Sequence, residues 1–185
     1  ATSQQPTLVL AQQVDQLANL YLSPKTANRE LAESDRSAVE TWLLFDRRFA
    51  ESSALVTHLR FERAITLRRV GLSNMLLGNT TASAEALDEA DSILAQLQEE
   101  EPTNISLLIE RSGCNAQQAQ LQIRIGNRTK AIGHCDDALA LLKGKLNGLS
   151  EEWDAEVKTP LTHLARLYGL LQLPTKAAEV ASLNQ

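Results

Sequence analysis

Aromatic side chains are scarce in this chain: three Phe, two Trp and two Tyr make up 4% of 185 residues. A sheet protein would call on more of them, with more Val, Ile and Thr, so the shortage argues against strands. Only eight Gly and five Pro punctuate the sequence, and Pro24, Gly78, Pro102, Gly126 and Gly148 fall between apolar-periodic stretches. The two cysteines, Cys114 and Cys135, supply neither a disulfide framework nor a metal pattern, and they read as small buried thiols in a helical core. Three histidines, His58, His134 and His163, sit on three different predicted helices without ligand spacing, which speaks against zinc. No apolar run approaches a membrane span, so direct insertion in a bilayer is not expected. No secretory signal pattern opens the chain. Positive charge is in deficit, with 18 Lys and Arg against 23 Asp and Glu, a net charge of −5. Nucleic acid is therefore not an expected partner, because phosphate binding needs a positive surface. Walker A, dinucleotide-glycine, His-Glu-x-x-His and nucleophile-elbow motifs are all missing, so neither an enzyme nor a cofactor is expected.

Ala, Leu, Gln, Glu and Arg dominate instead, all good helix formers. Apolar spacing predicts helices over about 7–22, 35–52, 54–77, 82–99, 105–125, 129–146 and 151–171, with a short last one from Pro174 to near Ser182. The third would be about 36 Å long at 1.5 Å per residue. Gly78-Asn79 and Gly126-Asn127 read as glycine stops. Thr80 or Thr81, Thr103 or Asn104, and Ser150 are the expected caps of the helices that follow. Pro160, inside the seventh pattern, is expected to start a new segment or kink the helix. The acidic run Glu99-Glu100-Glu101 before Pro102 opposes the helix dipole and is expected to be exposed.

A short pattern recurs along these helices. Gly78 is followed by Ser83, Leu87 and Ala90; Gly126 by Ala131, Cys135 and Ala138; Gln172 by Ala177 and Ala181. Each instance lies between a long helix and the next one. Repetition at this interval marks an array of stacked helix pairs, which presents a surface rather than a catalytic pocket. The fold expected is all-α, as one domain: a helical lead-in over 1–59, then about two and a half expanded units over 60–185. Ala1 in place of an initiator Met reads as the start of a processed product or an excised piece.

These residues resemble the tetratricopeptide repeat (TPR). The first unit offers Gly71, Gly78, Ser83, Leu87 and Ala90; the second Ala119, Gly126, Ala131, Cys135 and Ala138; the third Ala165, Tyr168, Gln172, Ala177 and Ala181. Thr80 and Arg128 stand where that family has an aromatic, and the proline closing its 34-residue unit is absent. The resemblance implies a right-handed alpha-alpha superhelix, a TPR-like solenoid with an N-terminal helical cap. It also implies a concave face carrying Arg68, Leu72, Met75, Gln120, Arg124, Thr162, His163 and Arg166. The predicted binding set is Arg68, Leu72, Met75, Gln120, Arg124, His163 and Arg166, with a protein or peptide bearing an acidic segment as partner. The family's Lys and Asn carboxylate clamp is not matched, so chaperone-tail binding is not expected.

Arg68-Arg69-Val70-Gly71 followed by Leu76-Leu77-Gly78 is further similar to long repeats of certain bacterial receptor-like serine/threonine protein kinases. That likeness implies a sensor or regulatory segment outside the cytoplasmic membrane; without it, a cytoplasmic location is expected. The chain carries no kinase motif of its own. The alternative function is self-association, in which the array forms a homo-oligomer and assembles attached domains. Trp42 and Trp153 are expected as core anchors. Arg47, Arg48, Arg60 and Arg63 are expected either to extend the cationic stretch or to pair with Glu51 and Glu62.

Overall fold

The computed structural model describes residues 31–146 and 151–183. The expected helix over 7–22 and the Ser150 cap lie outside them. Among the described residues the protein is all-α, with seven helices and no strand: α1 Glu33–Ser52, α2 Arg60–Leu76, α3 Thr80–Glu100, α4 Ile105–Arg124, α5 Arg128–Leu146, α6 Glu151–Leu170 and α7 Pro174–Ser182. The chain forms two compact units, Ala1–Ala90 and Asp91–Gln185. The first half of α3 belongs to the first unit and the second half to the second.

In the first unit, α1 buries Val39, Leu43, Asp46 and Ala50, a stripe at helical spacing that packs on α2. Glu33 and Asp35 complement the dipole in its first turn. Residues 54–59 depart from the expected 54–77 helix. Ser53 turns its hydroxyl back onto the Phe49 carbonyl at 2.7 Å, Val56 is extended, and a 3₁₀ turn at Thr57–Leu59 leads into α2. Ser and Thr side chains compete with the helix for backbone groups, which explains why this stretch of Ser, Val and Thr does not propagate it. Arg63 closes α1 by donating Nε to the Ala50 carbonyl at 3.1 Å.

The repeated turns share one geometry. Gly78 and Gly126 have φ of 83° and 79°, and Gln172 reaches 55°. At each turn two amides return to the preceding helix. Asn79 reaches the Asn74 carbonyl, Asn127 that of Gln122, and Leu173 that of Tyr168, at 2.8, 2.8 and 2.9 Å; Gly78, Gly126 and Gln172 reach Met75, Ile123 and Gly169. This is the Schellman closure, in which a left-handed residue satisfies the last carbonyls. Asn79, Asn127 and Leu173 then accept the first bond of the next helix from Ser83, Ala131 and Ala177. Asn79, rather than Thr80 or Thr81, is therefore the residue at the cap.

Small residues let helices approach closely. A Cβ on Gly71 would lie 2.6 Å from Leu87 Cγ and 3.3 Å from the Ser83 carbonyl oxygen, and Ser83 donates its hydroxyl to the Gly71 carbonyl at 2.8 Å. In the second unit Ala119, Ala131, Cys135 and Ala138 are fully buried in one cluster with Leu161, Leu164, Leu167 and Tyr168. There α4 packs on α5 and α6, α5 on α6, and α6 on α7. Helix α6 runs through Pro160 as one element, so no new segment starts there. A proline inside a helix costs about 3 kcal/mol; buried Val157, Leu161, Leu164, Leu167, Tyr168 and Leu171 hold the segment in place.

Candidate functional site

The predicted binding residues divide between the units. In the first, Leu72 and Met75 are 3% and 0% exposed. They are core side chains and do not line an open surface, which corrects the expectation drawn from their register. Arg68 is half-buried. In the second unit Gln120 is buried and Arg124 is exposed in the last turn of α4. On α6, His163 and Arg166 are half-buried. Nε of Arg166 is buried without an acceptor, and burial pulls its guanidinium below the ordinary arginine value. Of the other arginines, Arg47 donates to Asn74 Oδ1 at 3.1 Å, and Arg63 pairs with Glu89 rather than Glu62. Arg69 holds both oxygens of buried Asp46, at 3.1 and 2.7 Å.

A different face of α4 lines an open cleft of about 570 Å³ within the second unit. Leu108, Arg111, Asn115 and Gln118 follow one another at helical spacing along this face. Asp91 and Gln98 from α3 form one wall, and His134, Asp137 and Ala140 from α5 the other. Arg111 donates Nε to Asp91 Oδ1 at 3.1 Å and Nη1 to Gln98 Oε1 at 2.9 Å. Asn115 Nδ2 donates to Asp91 Oδ1 at 3.3 Å and to the Arg111 carbonyl at 3.1 Å. The polar groups are thus held by one another on helices. Sequence reasoning missed this cleft, although the polar stripe of Arg111, Asn115 and Gln118 in an otherwise apolar pattern was its signal.

Another face of α5 carries a partly exposed polar cluster, with the Asp136 and Lys176 side chains 45% and 41% exposed. Asp136 accepts Tyr168 Oη at 2.6 Å and Lys176 Nζ at 2.5 and 2.8 Å, and Lys176 lies 5.4 Å from the Tyr168 ring centre. Burial by itself would raise the Asp136 pKa, but the hydrogen bonds from Lys176 and Tyr168, with the nearby Lys176 and Lys143 charges, hold it below the ordinary carboxylate value. Burial and the Asp136 carboxylate push the Tyr168 phenol up. Cys114 and Cys135 are both buried and neither is in a disulfide. Burial, with Asp136 beside it, pushes Cys135 up to about 12, so it is a neutral thiol at pH 7 and not an activated nucleophile. Trp42 is half-buried, and the Trp153 side chain lies outside the described residues.

Among the described residues no cluster of His, Cys, Asp and Glu is arranged to hold a metal, and no helix is long and apolar enough to cross a membrane. The fold defines an all-α protein whose open polar cleft is built on three helices. Comparison with protein-family models, with curated proteins and with solved structures finds no match.

Proposed function

We propose that this chain is a non-catalytic module that binds a protein or peptide, built as a TPR-like array of helix pairs and serving as the sensor or regulatory segment of a larger signalling protein. The repeat reading is supported by the shared closure at Gly78, Gly126 and Gln172 and by the small residues where helices cross. The signalling context rests on the kinase-repeat resemblance alone. The observation that carries binding is the cleft of α3, α4 and α5, whose volume falls within the usual range for ligand sites. Its groups are positioned before any ligand arrives, which reduces the ordering cost of association. Panning a random peptide display library on the full chain tests the proposal. Ala140 is exposed on the cleft wall, so Ala140→Trp should obstruct the cleft without disturbing the core. Peptides captured by the native chain and lost from this variant support the reading; capture that survives Ala140→Trp contradicts it.

Self-association has one observation in its favour. Leu44 and Phe45 are adjacent on α1, and both are more than half exposed. Light scattering over a concentration series tests it: a mass that rises for the native chain and not for Leu44→Glu supports assembly, and a constant monomer mass removes it.

A further inference from the structure

We infer that the cleft of the second unit selects an extended peptide segment carrying a lysine or arginine, with Asp137 as the counter-charge and the Gln98 and Asn115 amides reading the peptide backbone. This rests on the peptide-binding reading above and adds the chemistry of the ligand.

The hydrogen-bond network determines what is left over for a ligand. A guanidinium only donates, so the amide atom of Gln98 that meets Arg111 is its oxygen. A carboxylate only accepts, so the atom of Asn115 that meets Asp91 is its nitrogen. Two amide groups therefore keep opposite capacities: Gln98 Nε2 remains a donor and Asn115 Oδ1 remains an acceptor, each without a partner among the described residues. Together they complement a peptide unit, whose carbonyl accepts and whose N–H donates. Asn115 is 6% exposed, so its amide is built into the cleft and does not wave from its rim.

Charge decides the side chain. Arg111 is neutralised by Asp91, and both are engaged. Asp137 lines the same cleft on α5, is exposed, and has no hydrogen bond or ion pair among the described residues. The lining carboxylates are Asp91 and Asp137 and the lining arginine is Arg111, so carboxylates outnumber guanidinium by one. An acidic ligand is repelled and a basic one attracted. Leu108 and Leu141 supply apolar wall for the methylene stem of a lysine or arginine. The partner expected here is thus opposite in sign to the acidic segment predicted from the sequence.

The test is a titration of the ¹⁵N-labelled full chain with capped tripeptides Ala-Lys-Ala, Ala-Gln-Ala and Ala-Glu-Ala at low salt. The expected result is amide shifts centred on residues lining the cleft, with affinity in the order Lys, Gln, Glu. Asp137→Asn should weaken the lysine peptide about fivefold, the size of a partly exposed charge pair, and leave the glutamine peptide unchanged. Asp137 is exposed and unpaired, so the variant should fold as the native chain does. Equal binding of the lysine and glutamine peptides, or a lysine peptide indifferent to Asp137→Asn, overturns the charge selection and leaves peptide binding intact. Shifts absent from the cleft with all three peptides overturn both readings.

Discussion

Each unit holds an arginine–aspartate pair between neighbouring helices, Asp46 with Arg69 and Asp91 with Arg111, and these two pairs do different things. In the first unit Asp46 is 5% exposed and Arg69 occupies both of its oxygens. The pair is consumed by its own geometry and serves as a seam. In the second unit the Asp91 and Arg111 side chains are 27% and 28% exposed, and one oxygen of Asp91 serves both Arg111 and Asn115. That pair leaves polar capacity over and furnishes the wall of a cleft. The same two residue types close a contact or equip a site according to how much water is excluded around them.

Breaking the two pairs should give unequal costs. Arg69→Met leaves a buried carboxylate unpaired and is expected to cost about 3 kcal/mol in urea denaturation. Arg111→Met, at a partly solvated pair, should cost about 1 kcal/mol. Equal costs would erase the distinction between seam and cleft.

Asp136, paired with Lys176 on α7, is more exposed than either of these aspartates and adds a third case. Asp136→Ala leaves the buried Tyr168 hydroxyl without its acceptor and should cost about 2 kcal/mol near neutral pH. The folded carboxyl titrates below its ordinary value of 3.8. Its contribution is therefore complete above that value and is lost as pH falls through the depressed folded value. The gap between the denaturation midpoints of the native chain and the variant should narrow on acidification; a constant gap would refute the linkage.

Close packing gives a third contrast. Gly71→Ala forces a methyl into Leu87 and should destabilise by about 1–3 kcal/mol. Gly169→Ala, with open space at its Cβ, should stabilise α6 by about 0.5–1 kcal/mol. The smallest effect is expected at the third turn, where Gln172→Gly should relieve a left-handed residue and raise stability by about 0.5 kcal/mol. Thermal melts check all three.

Helix positions and turns were legible in the sequence because they depend on local signals. The glycines at 78 and 126 marked left-handed closures, and Gln172 matched them by register despite its side chain. Small residues at 71, 119, 131 and 138 marked close packing. What depends on distant partners was not legible. Nothing near Asp46 announces Arg69, 23 positions on. Register alone placed Leu72 and Met75 on a binding face, but burial depends on neighbouring elements and encloses both. The cleft escaped because its polar atoms come from three helices, and only their mutual hydrogen bonds show which donors and acceptors remain. Pro160 starts no new segment for a related reason: its local preference yields to the apolar residues packed around it.

The most direct test pairs two neighbours on α5. The dissociation constant for the lysine tripeptide and the urea midpoint are measured for Asp136→Ala and Asp137→Asn beside the native chain. Asp136→Ala should lower the midpoint, whereas Asp137→Asn should keep it and bind the peptide about fivefold more weakly. A lysine peptide held equally well by the native chain and Asp137→Asn would contradict the cleft as a site for a basic segment.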